Sequence, residues 1–244
     1  MRNIRFGLNT DDMNPFGEMS IAHSTWPVVL CIYNLPSWIC HKSKYLMMTV
    51  LISGPKQPEI NINVYLRPLI EDLKTLWSHG VQVWDEFKRE YFQLHAILFC
   101  TIQDLPALYS VSGQSKAGGK GCPQCLYETE SVWLQKSKKP VYMRHRRFLP
   151  KCHVYRKMKA QFDGTVENNS APKHVTGEEV FQEQQKICSV LGKRKHSTNG
   201  ENNPMWKKQS FFFELPYWKT LEVRHCIDVM HVKKMCVIVF WAHC

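Results

Sequence analysis

The run Phe92–Pro106, FQLHAILFCTIQDLP, decides the fold. It is apolar through Ile102 and stops on a polar turn signal, Asp104-Leu105-Pro106. At this length it is too short to cross a bilayer and reads mainly as a buried strand ending at Asp104, with a helical beginning as the alternative. Before it, Ile62–Trp77 has a different period. Ile62, Tyr65, Leu66, Leu69, Ile70, Leu73, Leu76 and Trp77 recur at three- and four-residue steps, Glu71, Asp72 and Lys74 face away, and Gly80 follows. That spacing predicts an amphipathic helix. Earlier still, Asn3–Asn9, Trp26–Leu35 and Tyr45–Ser53 are short apolar runs closed by Asp, Pro or Gly. They read as a first strand and two fully buried ones.

The order is therefore strand, strand, strand, helix, strand. Three consecutive strands, a crossover helix and a strand laid beside the first form the opening of a ribonuclease-H-like sheet. In that arrangement the first and fourth strand ends are neighbours, and Asp11 and Asp104 stand just past them. Two such carboxylates are able to share a metal ion, although most Asp residues at strand ends cap turns.

The 244 residues are 44% hydrophobic, 12% aromatic and 22% charged, which excludes a wholly disordered chain and allows one large domain or two small ones. The N-terminus lacks the apolar core of a signal peptide, and no stretch is long and apolar enough for a membrane span, so neither secretion nor membrane insertion is expected. The net charge of +11 is concentrated. Ser115–Arg224 holds 21 basic and ten acidic residues, while bases and acids balance in the rest. Within it Lys136–Lys159 has ten bases and no acid, interleaved with Tyr142, Phe148 and Tyr155. A polyanion such as nucleic acid is the expected partner, with a solubilising face as the plainer reading. The candidate phosphate contacts are Lys138, Lys139, Arg144, Arg146, Arg147, Arg156 and Lys157, Arg144, Arg146 and Arg147 foremost because guanidinium groups bridge phosphates. Of ten cysteines, Cys122 and Cys125 alone form a CxxC pair, half of a zinc site in a reducing compartment. Gly164–Pro172 reads as a linker, Gly177–Leu191 as a modest helix, Gly192–Pro204 as a polar, disordered stretch carrying Lys193-Arg194-Lys195, and Leu221–Val239 as helical.

Several strings are specific. They are Gly7-Leu8-Asn9-Thr10-Asp11, Met13-Asn14-Pro15-Phe16-Gly17, Ile52-Ser53-Gly54-Pro55-Lys56, Arg144-His145-Arg146-Arg147-Phe148-Leu149-Pro150 and Phe212-Phe213-Glu214-Leu215-Pro216-Tyr217-Trp218, with Arg224-His225 leading to Asp228-Val229-Met230-His231. Together they resemble the transposases of plant CACTA (En/Spm-type) DNA elements, in order from about residue 3 to residue 231. The resemblance implies a DDE nucleotidyltransferase whose carboxylates hold Mg²⁺ or Mn²⁺, DNA as substrate, and action in the nucleus as a homo-oligomer or beside another transposon-encoded protein. The first two acids fall on Asp11 and Asp104. Related transposases carry a Cys-x2-Cys pair after the second acid and two His residues far downstream, which implies a structural Zn²⁺ on Cys122, Cys125, His225 and His231. Cys226 and His153 are rival ligands.

Two departures point to an impaired enzyme. Asp12 stands where the family usually has Gly, and Lys233 where it commonly has Glu. Asp228 and Glu222 are nearby acids, neither assignable as the third ligand from sequence. The tail Met235–Cys244, MCVIVFWAHC, is unlike the family, and one coding of it becomes family-like when read one frame over, so a frameshift is expected there. The expected organisation is an incomplete ribonuclease-H-like core over residues 1–112, a basic zinc-binding insertion over 113–220, and a returning helix with an aberrant tail over 221–244. A non-enzymatic DNA-binding protein derived from a transposase is the alternative.

Overall fold

The structure, a computed structural model, describes residues 2–17, 23–115, 120–123, 125–136, 138–187 and 205–230. Lys193-Arg194-Lys195, His231, Lys233 and the Met235–Cys244 tail lie outside them.

The elements in chain order are β1 (Ile4–Thr10), β2 (Trp26–Ile32), α1 (Ser37–Cys40), β3 (Leu46–Ile52), α2 (Ile62–Ser78), β4 (Val81–Asp85), β5 (Glu90–Leu94), β6 (Ala96–Gln103), α3 (Leu105–Ser112), β7 (Ser131–Leu134), β8 (Lys139–Tyr142), α4 (Val154–Lys157), α5 (Gly177–Gln185) and β9 (His225–Ile227). The chain is mixed α/β. Its main sheet has the strand order β3-β2-β1-β6-β9, and two separate hairpins pair β4 with β5 and β7 with β8. β1 and β2 are antiparallel, as are β2 and β3, whereas β1–β6 and β6–β9 are parallel.

One face of the sheet carries the core. Phe6, Leu8, Val28, Leu30, Ile52 and Leu98 alternate along the strands and meet Ile62, Leu66, Leu69, Ile70 and Leu73 of α2. Pro68 sits inside α2 without ending it. Phe211, Phe212, Leu215, Tyr217 and Trp218 return from far along the chain to close the same core. The Tyr217 hydroxyl accepts the Leu98 N–H at 2.9 Å, tying this segment to the middle of β6. A second, smaller cluster forms where Leu126, Val180, Met205 and Trp206 pack together. The Thr176 hydroxyl and Glu179 carboxylate cap the start of α5 reciprocally, so this helix is specified locally.

Three expectations are corrected. The run 92–102 is not one strand, because it breaks at His95 and its two parts enter different sheets. β3 is an edge strand, and Met47, Met48 and Leu51 are exposed rather than buried. Residues 225–227 are a strand, held to β6 by the bond from Thr101 N–H to the Arg224 carbonyl at 2.9 Å.

Candidate functional site

The parallel register builds one end of the sheet. Asn9 pairs with Ile102, and Gln103 pairs with Ile227. Two steps beyond the first pair stand Asp11 and Asp104, and one step beyond the second stand Asp104 and Asp228. Three carboxylates thus follow the C-terminal ends of three neighbouring parallel strands. Asp104 is buried at 8% exposure and caps α3, its Oδ1 accepting the Ala107 N–H at 2.8 Å. Asp11 is exposed, with the Asp12 N–H on its Oδ1 at 2.7 Å. Asp12 turns elsewhere, accepting from Ser24 Oγ at 2.6 Å and Gln57 Nε2 at 2.8 Å. Asp228 is half-buried, and its Oδ1 accepts the Met230 N–H at 2.8 Å. Asp228 was not assignable from sequence, since only the pairing of β6 with β9 aligns it with Asp104.

Between these ends, Thr10 Oγ1 and both amide atoms of Gln103 are buried without a hydrogen-bond partner among the described residues. Orphaned polar atoms of this kind call for water or a ligand. The carboxylates themselves are aligned but not gathered. Among the described residues, the one set of three Cys, His, Asp or Glu side chains whose ligand atoms lie within 4.8 Å of one another is Cys31, Cys40 and His41.

The CxxC thiols are adjacent and buried. Burial pushes the Cys125 thiol up, opposed by its hydrogen bond with Arg147, and the nearby Cys122 raises it further. His225 lies on β9 with Nδ1 2.7 Å from Thr101 Oγ1, its ring packed on Phe212 and Trp218. Burial and the Arg224 charge push its imidazole down to about 3, so it is neutral and suited to ligation or to a core hydrogen bond. His225 and Pro123, which follows Cys122, line one cavity of about 260 Å³ together with His174, Trp206 and Glu222. The rival ligands are engaged. His153 Nδ1 accepts the Tyr155 N–H at 3.2 Å, and Cys226 is hydrogen-bonded with Cys100, which pulls its thiol down to about 7 against burial.

The basic candidates divide. Arg146, Arg147 and Arg156 are buried, which corrects their reading as phosphate contacts on the surface. Arg146 donates to the carbonyls of Tyr155, Met158 and Thr165 and to Asp163 at 2.7 Å. Arg156 donates to the carbonyls of Leu149, Glu167, Asn169 and Arg147. Arg147 donates to the Glu128 carbonyl. These three guanidinium groups organise the loop as a polar core. Arg144, in the left-handed conformation at φ 66°, pairs with Glu130 at 2.9 Å. Lys138, Lys151, Lys157 and Lys159 are exposed, with Tyr155 and Phe162 exposed beside them in sequence, and Lys139 opens β8.

The five-stranded mixed sheet, the strand-end carboxylates and a basic loop folded on its own arginines define an α/β protein. The family model described as Transposase family tnp2 matches residues 1–187, and the chain belongs to that transposase family. No curated protein and no solved structure matches the chain. No described helix is long and apolar enough to cross a membrane.

Proposed function

We propose that this chain is a catalytic region of a DDE-type DNA transposase of the plant CACTA (En/Spm) kind, acting on DNA in the nucleus. The observation that carries the reading is the register that lines up Asp11, Asp104 and Asp228 at the ends of β1, β6 and β9. Strand order and direction support a ribonuclease-H-like core, and membership of the transposase family supports DNA as substrate.

Carboxylate oxygens suit Mg²⁺ or Mn²⁺, and the orphaned Thr10 and Gln103 atoms fit a hydrated ion or its water network. Bound there, such ions supply activation of the attacking oxygen and stabilisation of the leaving oxygen. Asp104 is the most fixed ligand, because its second role as the cap of α3 sets its side chain. Asp11 and Asp228 are held by turn hydrogen bonds to the next residues of their own loops. The exposed lysines Lys138 and Lys157, with Lys139 and Arg144, would contact the phosphate backbone without reading sequence. Cys122 and Cys125 supply half of a structural zinc site, with His225 and His231 completing it. His225 is not gathered with Cys122 and Cys125 into one ligand set among the described residues, so its joining them needs a rearrangement, and His231 lies outside the described residues.

Lys233, at the family's Glu position, and Asp12, at its Gly position, argue for a slow enzyme. A specific observation favours the second reading, a DNA-binding protein without strand cleavage: the three carboxylates are not gathered into one ligand set. A supercoiled-plasmid nicking assay with Mg²⁺ or Mn²⁺ separates the two. Nicking by wild type that is lost in Asp104→Asn, which retains a capping acceptor, supports the enzyme. Salt-dependent DNA binding with no nicking supports the second reading.

A further inference from the structure

The sheet face opposite α2 carries a sulfur-rich cluster. Gly7 of β1 pairs with Cys31 of β2 on one side and Cys100 of β6 on the other, so the three stand in one row. With no side chain at Gly7, the Tyr33 ring lies across the row; a Cβ there would strike it. The short helix α1 then brings Cys40 over Cys31. Cys31 Sγ donates to the Cys40 carbonyl at 3.2 Å, and Cys40 Sγ lies 3.0 Å from His41 Nδ1. The sulfur and nitrogen atoms of Cys31, Cys40 and His41 all lie within 4.8 Å of one another. Cys31 and Cys40 are buried, whereas His41 is exposed, so the group opens to solvent on one side. The Tyr33 hydroxyl, which lies over Gly7 in the same row, is buried with no hydrogen-bond partner among the described residues.

We propose that Cys31, Cys40 and His41 bind a zinc ion, with a water at the fourth position. Two thiolates and an imidazole are the donor set of a borderline-soft cation and not of Mg²⁺ or Ca²⁺, which take oxygen. Zn–S and Zn–N bonds of about 2.3 and 2.0 Å in a tetrahedron put ligand atoms roughly 3.5–3.8 Å apart, inside the observed spread, so only small side-chain shifts are needed. On binding, the Cys31 and Cys40 thiols release their protons to water and His41 ligates as the neutral ring. Two thiolate charges cancel the dication, which makes a buried centre tolerable where free thiolates are not. The Tyr33 hydroxyl is the orphaned polar group that a metal-bound water would satisfy. The ion would staple the β2–β3 connection to the end of β2. The site is separate from the Cys122–Cys125 pair and does not rest on the transposase reading.

The test uses the full chain carrying Cys122→Ser and Cys125→Ser, reduced and metal-free, titrated with Co²⁺. We expect one equivalent to give a thiolate-to-cobalt charge-transfer band and tetrahedral d–d bands, both erased by Zn²⁺. Adding Cys31→Ser or Cys40→Ser should abolish the bands, and His41→Ala should keep thiolate character while weakening binding at least tenfold. Absence of the bands, or their survival in Cys31→Ser, in protein whose circular dichroism matches wild type overturns the proposal. Should the double serine background fail to fold, zinc content per chain is compared between wild type and Cys31→Ser. A loss of one equivalent supports the site, and unchanged content overturns it.

Discussion

The Asp228 N–H donates to the Gln103 carbonyl at 2.8 Å, and this bond sets Asp228 beside Asp104 at the ends of two adjacent parallel strands. If Asp228 is the third metal-holding carboxylate, Asp228→Asn should lower Mg²⁺-dependent plasmid nicking by ~100-fold or more, the effect of several kcal/mol of lost transition-state stabilisation. Asparagine keeps an acceptor for the Met230 N–H, so the melting temperature should hold. An unchanged nicking rate would assign the third ligand to another residue.

The first four main-sheet strands and α2 were legible because each is a local signal. The apolar runs of β1 and β3 and the helical spacing of Ile62–Trp77 lie within one residue of the observed elements, and the run of β2 overshoots its strand by three residues. The break at His95 was not legible, because no Gly, Pro, Asn or Asp marks a turn there; the break comes with long-range bonds, the His95 carbonyl accepting Ile4 N–H at 3.0 Å while its ring meets the Trp77 carbonyl at 3.1 Å. β9 was hidden for a similar reason. Three residues carry no periodicity, and only β6 makes them a strand. Asp11 and Asp104 were readable as strand-end acids, and Asp228 became a candidate only through that third pairing. Nor does an arginine announce its burial. Arg146, Arg147 and Arg156 have the same local composition as their exposed lysine neighbours, and only the looping of 145–169 around them decides their role.

That division predicts opposite outcomes for two variants. Arg156→Ala leaves several buried carbonyls without a donor and should destabilise the fold by ~3–5 kcal/mol, read by chemical denaturation. A triple Lys151→Ala, Lys157→Ala, Lys159→Ala variant removes exposed charge alone, so its stability should stay within ~0.5 kcal/mol. Its DNA affinity should fall, and the slope of log K against log salt should flatten by about 0.9 for each phosphate that is no longer neutralised. Equal stability losses in both variants would refute the division.

Lys208 gives a pH dependence. It is 3% exposed, its Nζ donates to Asn63 Oδ1 at 2.7 Å, and burial pushes its amine down to about 7. The unfolded amine titrates near 10.5. Between those values the unfolded chain holds the proton more tightly than the folded one, so stability rises with pH, by at most ~1.4 kcal/mol per unit, and the benefit is lost as pH falls to 7. Other groups titrate in the same window, and Lys208→Met isolates the amine. Denaturation midpoints at pH 7 and 9 should diverge less in that variant than in wild type, and parallel curves would show that the amine does not contribute.

The core extends past the part of the chain that the family model matches. That match ends at residue 187, yet Phe211, Phe212, Leu215, Tyr217 and Trp218 fill the space beside α2, and β9 covers the outer edge of β6. Trp218 is fully buried, its ring 4.9 Å from Phe212 and 5.5 Å from His225, while its indole N–H has no partner among the described residues. Trp218→Ala should therefore cost ~3–5 kcal/mol, a cavity-sized loss. Trp218→Phe should cost much less, since it gives up ring volume but also removes an unsatisfied donor. A fragment of residues 1–187 should lack a cooperative melt, because β6 would lose a parallel neighbour and α2 one wall of its core. If calorimetry showed 1–187 melting cooperatively at the temperature of the full chain, the returning segment would be an appendage, and the alignment of Asp228 with Asp104 would lose its structural support.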